Sequence, residues 1–246
     1  MTKLSVNLNK FALLRNARGT DFPNLVKMAE RTIAAGAHGL TLHPRPDQRH
    51  ARYSDVYDLS ALLEKTPTVE FNIEGNPIPE FLDIVEEVKP TQCTLVPDAP
   101  DQLTSDHGWN LREEEARLRP IIQGLQARGV RVSLFMETGL EQIDIAKSIG
   151  ADRVELYTEL YARAFGTSEE QEVFDRFRVA AGHAEELGLG VNAGHDLNLY
   201  NLGSFLSIPG ILEVSIGHAI VVESFDYSYE GTLRRYLGII DKARND

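Results

Sequence analysis

The feature that most constrains this chain is a recurring unit: an amphipathic helical stretch, a glycine, then a short apolar run. It reads AAGAHGLTLH at 34–43, QARGVRVSLFM at 126–136, KSIGADRVELYT at 147–158, EELGLGVNAGH at 185–195 and IPGILEVSIGH at 208–218. Helices often end on a left-handed glycine. Gly36, Gly129, Gly150 and Gly188 stand where such caps are expected, while Gly210, after Pro209, suits a turn. The runs at 4–8, 69–74 and 92–97 bring the expected short strands to eight. Near-continuous apolar strands alternating with helices imply a parallel sheet covered on both faces. Eight alternations in 246 residues, with no linker or shift in composition, predict one (β/α)8 TIM barrel domain over 1–246 rather than an open doubly wound sheet. Gly188-Leu189-Gly190 precedes its strand, so it is no dinucleotide fingerprint.

Between the strands, residues 21–35 place Leu25, Val26, Ala29, Ile33 and Ala34 on one helical face. Ser54-Asp55 is expected to cap a helix over 56–64. Asn110 is expected to open a longer one ending near Arg128, which Pro120 should kink or divide. Residues 167–170 open a helix over 172–187, and 221–243 form the last helical region, with a break expected around 227–231.

A formal net charge of -12 repels phosphate polymers, which argues against nucleic-acid or anionic-membrane partners. No apolar run approaches the length of a membrane span. The single cysteine, Cys93, excludes an intrachain disulfide and a Cys-based structural zinc site. A strand-like run begins almost at the N-terminus and leaves no room for a signal peptide, so cytoplasm is the expected location.

In such a barrel the active site lies at the C-terminal ends of the strands. Polar residues gather there: Asn7 and Asn9, His43 and Arg45, Asn72 and Glu74, Pro97-Asp98, Glu137, Glu155 with Tyr157 and Thr158, Asn192 through Asp196, and Gly217-His218. His43, His195 and His218 fall at strand ends and are candidates for chemistry, whereas His38, His107 and His183 are assigned to structure or solvent. Pro44 and Pro46 stiffen the loop carrying His43, Arg45, Asp47, Arg49 and His50, which suits an anionic, phosphorylated substrate. Glu74 follows an apolar strand, so burial should raise its pKa toward that of a general acid or base; its alternative role is as a permanently ionised partner of Arg45. Glu137 and Glu155 stay open between chemistry and ion pairing. Gly194 and Gly217 stay open between a phosphate site and ordinary turns.

The motifs LRNARGT at 14–20, His43-x-Arg45-x-Asp47-x-Arg49-His50, Asn72-x-Glu74, LVP at 95–97, VNAGH at 191–195 and IGHAI at 216–220 resemble the pyridoxine 5′-phosphate synthase family. They follow the family's order over almost the whole chain. The resemblance implies a (β/α)8 barrel with additional helices, assembled as a homo-octamer (a tetramer of dimers), that condenses 1-deoxy-D-xylulose 5-phosphate with 3-amino-2-oxopropyl phosphate without metal or organic cofactor. It implies that His43 and Glu74 are proton acceptors and His195 a proton donor. Arg45, His50 and Thr104 would hold the ketose phosphate. Asn7, Arg18 and Gly217-His218 would hold the amino-ketone phosphate, with Arg18 reaching a neighbouring subunit's site.

Three positions depart from the family pattern. Asn9-Lys10 stands where the family commonly has Asp-His, Tyr157-Thr158-Glu159 replaces His-Thr-Gly, and Asp196 replaces the glycine after VNAGH. Asp196 adds negative charge near a phosphate site. Lys10 is expected to bind the ketose phosphate or its hydroxyls with Asn9 beside it; a solvated lysine and a Schiff base are the alternatives. Two other functions compete: a metal-dependent hydrolase liganded by His43, Glu74, His195 and His218, and a non-catalytic phosphosugar-binding barrel.

Overall fold

The computed structural model describes residues 1–99, 102 and 104–244. Each of the eight runs forms a strand: β1 (Lys3–Asn7), β2 (Gly39–Leu42), β3 (Glu70–Gly75), β4 (Gln92–Leu95), β5 (Arg131–Met136), β6 (Arg153–Tyr157), β7 (Gly190–Gly194) and β8 (Ile211–Ile216). Every neighbouring pair is parallel, and β8 returns to β1 in the register Lys3↔Glu213 to Val6↔Ile216, closing the barrel. β4 stops two residues short of Pro97, which has no N–H for the ladder.

Eleven helices lie among these described residues: α1 (Asn9–Asn16), α2 (Leu25–Ala34), α3 (Tyr53–Leu63), α4 (Pro79–Val88), α5 (Leu111–Gln126), α6 (Leu140–Ser148), α7 (Glu159–Ala164), α8 (Glu170–Glu186), α9 (Leu202–Phe205), α10 (His218–Tyr227) and α11 (Tyr229–Ala243). Their inward faces recur at helical spacing, as with Leu118, Ile122 and Leu125 on α5 and Val173, Phe177, Ala180 and Ala184 on α8. Burying each large apolar side chain contributes about 1.5–3 kcal/mol. Gly36, Gly129, Gly150 and Gly188 all have the positive φ expected of helix-ending glycines (99°, 84°, 94° and 73°), and Gly210 has φ 81°.

Several local expectations are corrected. α2 starts at Leu25, because Asn24 caps it with Oδ1 accepting from the Lys27 N–H at 2.9 Å. Its buried face is Leu25, Met28, Ala29 and Thr32, while Ala34 is exposed. Asp55 lies inside α3, accepting from the Arg52 N–H at 2.7 Å, so the helix opens at Tyr53, nearly a turn before the expected start. Pro120 does not divide α5: Pro120 and Ala116, whose carbonyl loses its helical donor, are both exposed, so water can replace the missing bond. The last helical region does break, at Ser228 with φ 59°, but its first part begins at His218 rather than 221.

The barrel interior is polar. Ser5, Thr41, Asn72, Glu74, Gln92, Thr94, Ser133, Glu155, Asn192, Glu213 and Ser215 are all buried. They connect by hydrogen bonds: Ser5 to Thr41 at 2.7 Å, Thr94 Oγ1 to Asn72 Oδ1 at 3.0 Å, Asn192 Nδ2 to Gln92 Oε1 at 3.2 Å. The apolar half of each strand faces the helices instead. Barrel interiors are more often filled by branched aliphatic side chains; here a column of carboxyls, Glu74, Glu155 and Glu213, runs inside the barrel with its uppermost member at the mouth.

Candidate active site

The loop leaving β2 is fixed before any ligand is considered. The His43 N–H donates to Asn9 Oδ1 at 3.0 Å, tying the end of β2 to the first residue of α1. At the far end of α1, Arg15 and Asp55 form a buried bidentate pair at 2.5 and 2.9 Å. Asn16 Nδ2 donates to the carbonyls of Arg49 and His50 at 3.0 and 2.7 Å. α1 therefore holds both ends of the 43–50 loop. Nothing in the spacing of the sequence points to this restraint, although LRNARGT contains two of its residues.

At the mouth, buried His43 lies between two carboxylates: Nδ1 is 3.9 Å from Glu74 Oε2 and Nε2 is 3.8 Å from Asp98 Oδ2. Glu74 accepts long hydrogen bonds from Asn72 Nδ2 at 3.4 Å and Asn7 Nδ2 at 3.5 Å. Arg45 is not its partner. The guanidinium gives Nη2 to Asp98 Oδ2 at 2.5 Å and Nη1 to the Gln102 carbonyl at 3.0 Å. Burial, then the nearby Glu155, Asp98 and Glu213, push the Glu74 carboxyl well above the ordinary carboxylate range, with Arg45 opposing. Burial and the charges of Arg45, His195, His50 and Arg49 hold His43 well below the ordinary imidazole value.

His195 follows β7 with φ 80°, its ring centroid 5.1 Å from both Phe135 and Tyr157. Burial, Arg45 and Lys10 lower its pKa to about 4. Burial, Lys10, Arg45 and Arg49 bring His50 to about 4 as well. Half-buried Lys10 thus bears electrostatically on both imidazoles. Its neighbour Asn9 commits its side-chain oxygen to the His43 backbone rather than keeping it for substrate. Thr158 Oγ1 donates to the carbonyls of Gly194, at 2.6 Å, and His195, fixing the turn that carries His195.

The two glycines separate. A Cβ on Gly194 would overlap Glu155 Oε1, so this glycine makes room for an interior carboxyl. A Cβ on Gly217 would meet Asn7 Cβ and O at 3.0 Å, so that glycine permits close backbone approach where α10 begins. Asn7, Lys10, His43, Arg45, His50, Glu74 and His195 are linked at one mouth by these contacts and fields. Arg18, Thr104, Asp196 and His218 are exposed on its loops or beyond. Sequence reasoning places Asp98 at the strand-end face but gives it no role: it is 4% exposed, binds Arg45 and accepts from Ser105 Oγ at 2.7 Å. The available signal is a carboxylate directly after the strand-ending LVP. His38 accepts from the Leu4 N–H through Nδ1 at 3.1 Å, and His183 and His107 pair with Asp144 and Asp106, consistent with structural or solvent roles. Among the described residues no three His, Cys, Asp or Glu side chains are grouped to hold a metal ion, and His218 is exposed whereas His43 and Glu74 are buried.

Comparison with known proteins bears on this geometry. The family described as pyridoxal phosphate biosynthesis protein PdxJ matches residues 4–242. The chain belongs to this family. Among PdxJ-like relatives, the pyridoxine 5′-phosphate synthase of Albidiferax ferrireducens (strain ATCC BAA-621 / DSM 15236 / T118) is 49% identical over 250 residues, covering 99% of each chain. The enzyme of the same name from Bacteroides thetaiotaomicron is 51% identical over 237 residues, covering 96% of this chain and 98% of that one. The PdxJ barrel also resembles a solved phosphoribosylanthranilate isomerase from Thermotoga maritima, with a TM-score of 0.59 and 13% identity over 98% of this chain and 100% of that one; this shows a shared fold alone.

Proposed function

We propose that this protein is a pyridoxine 5′-phosphate synthase, joining 1-deoxy-D-xylulose 5-phosphate to 3-amino-2-oxopropyl phosphate and closing the pyridine ring with release of phosphate and water. The observation that carries the reading is the 49% and 51% identity, over nearly the full length of both chains, to enzymes of that name. The site's chemistry supports it. Condensation, elimination and ring closure need repeated proton transfers near neutral pH, which acid–base groups supply without metal or organic cofactor.

His43 and Glu74 are the proton acceptors. The imidazole is neutral near pH 7, and burial brings the carboxyl closer to the working pH, where a base that must also return its proton is most effective. His195 is the proton donor. In the free protein burial first, then Arg45 and Lys10, oppose its protonation; the ketose phosphate bound by those two cations offsets the charge part of that opposition and favours the protonated ring. Arg45, His50 and Thr104, with Asn9 and Lys10, hold the ketose phosphate. Asn7, Asp196, Gly217 and His218 face the amino-ketone phosphate, and Arg18 reaches a neighbouring subunit. Confining both substrates in one pocket adds a proximity contribution.

Lys10→Ala is expected to raise KM for the ketose phosphate much more than for the amino-ketone, with kcat only modestly lower. Borohydride trapping of substrate on Lys10 favours the Schiff base, and unchanged kinetics leave a solvated lysine.

The protein acts in the cytoplasm as a homo-octamer, a tetramer of dimers. Exposed Leu13 and Leu14 on α1 and Val222 and Phe225 on neighbouring α10 offer apolar surface for such assembly, next to exposed Arg18. A monomer in light scattering would remove both the octamer and the role of Arg18. No described helix is long and apolar enough to cross a membrane. The decisive assay mixes purified protein with both substrates and looks for pyridoxine 5′-phosphate by mass spectrometry; no product after prolonged incubation would favour the non-catalytic binding barrel.

A further inference from the structure

Asp98 is occupied in a way that invites exchange. Its Oδ2 takes the Arg45 guanidinium and the Ser105 hydroxyl, with His43 Nε2 3.8 Å away. Its Oδ1 is buried with no hydrogen-bond partner among the described residues, a costly arrangement for a carboxylate oxygen. Beside it lies a cavity of about 140 Å³ lined by His43, Arg45, Asp98, Tyr53, Ile78 and Phe81, which gives the carboxylate room to turn.

We propose that Asp98 is a positioning residue held by Arg45 in the free enzyme and passed to His43 when the ketose phosphate engages Arg45, so that one substrate strengthens the base acting on it. This rests on the reading that Arg45 binds the ketose phosphate. A phosphate dianion competes well with a single carboxylate for a guanidinium. Asp98, displaced, stays buried and needs another donor. His43 Nε2 is within about 1 Å of hydrogen-bonding distance, and a carboxylate at such range favours the imidazolium, by about 1–3 pH units.

The other groups facing His43 do not do this in its place. Arg45 and Arg49 on its own loop, His50, and His195 after β7 all disfavour its protonation. Glu74 on β3 stands 3.9 Å from Nδ1, and burial pushes its carboxyl toward the neutral form, which weakens it as a counter-charge for His43. A proton taken up by His43 therefore gives an imidazolium that faces Asp98.

The test is an imidazole-nitrogen NMR titration of His43, free and with 1-deoxy-D-xylulose 5-phosphate alone, so that no turnover occurs. The wild-type midpoint is expected to rise by at least about one pH unit on binding. In Asp98→Asn the rise should fall to less than half, the remainder being the field of the phosphate itself. The same variant should lose roughly tenfold or more in kcat while KM for the ketose phosphate stays level or falls, because Arg45 is released for substrate. A wild-type midpoint that does not move overturns the proposal, as does an equal rise in Asp98→Asn. A raised ketose KM with preserved kcat also overturns it, marking Asp98 as a mere holder of Arg45. The wild-type titration needs no variant to fold, and an Asp98-dependent rise without product formation would leave this exchange standing while sinking the proposed synthase activity.

Discussion

His43→Ala, Glu74→Gln and His195→Ala are each expected to leave the barrel folded and to cut kcat by roughly 10²-fold or more. The fold should survive because neither histidine ties strands or helices together through its side chain, and the bond from Asn7 on β1 to Glu74 is long, at 3.5 Å. His43 is held through its backbone by Asn9, and His195 through its carbonyl by Thr158. Glu74→Gln keeps the shape and one of the two acceptor oxygens, forfeiting one long bond from Asn72 or Asn7, while removing an ionisable group that is costly where it sits. The losses should fall on kcat more than on KM, since the phosphates are held elsewhere. Steady-state kinetics with far-UV circular dichroism decides the matter: near wild-type turnover in two of the three folded variants would defeat the assignment.

The barrel is legible in the sequence because a glycine after a helix and an apolar run after the glycine are local signals, repeated often enough to count strands. Helix starts are less legible, since they depend on which of several nearby polar residues takes the cap. Ahead of α2 both Asp21 and Asn24 could serve; Asn24 does, while Asp21 accepts from the Asn24 amide at 2.5 Å. The polar interior is also written in the sequence, as a period of two: Ser5-x-Asn7, Thr41-x-His43, Asn72-x-Glu74, Gln92-x-Thr94, Glu213-x-Ser215. Reading the strands as near-continuous apolar runs hides that alternation, and with it the column of carboxyls beneath the site.

At the site, the strand-end rule brings out His43, Glu74 and His195 because a parallel barrel puts every strand's C-terminus on one face. It does not show that Arg45 pairs with Asp98 rather than Glu74, since that choice depends on where the loop after β4 lies. Nor does it distinguish Gly194 from Gly217: one clears space for Glu155 and the other for the Asn7 backbone, and only three-dimensional proximity tells them apart.

Glu155→Gln is expected to stabilise the protein above neutral pH and to flatten the dependence of its stability on pH. The Glu155 carboxyl is 2% exposed, has one weak donor in Thr94 Oγ1 at 3.5 Å, and is raised from 4.5 to about 8, by burial first and then by Glu213. A raised carboxyl binds its proton more tightly when folded, so its contribution is fully present below about pH 4.5 and is lost as pH rises toward 8. At 1.36 kcal/mol per tenfold, that loss has a ceiling of ~5 kcal/mol, reduced in practice because Glu74 titrates with it. Glutamine keeps the volume and the acceptor for Thr94 but never ionises, so the variant should match wild type near pH 4.5 and exceed it by a growing margin toward pH 8. Glu213→Gln gives the contrasting result: Arg153 stands 3.7 Å from that carboxylate, and removing it leaves a largely buried guanidinium without its charge partner, which destabilises. Urea unfolding of the three proteins at about pH 5 and about pH 8 reads both signs. Parallel wild-type and Glu155→Gln profiles across that range would mean that Glu155 keeps an ordinary carboxylate pKa in the folded barrel.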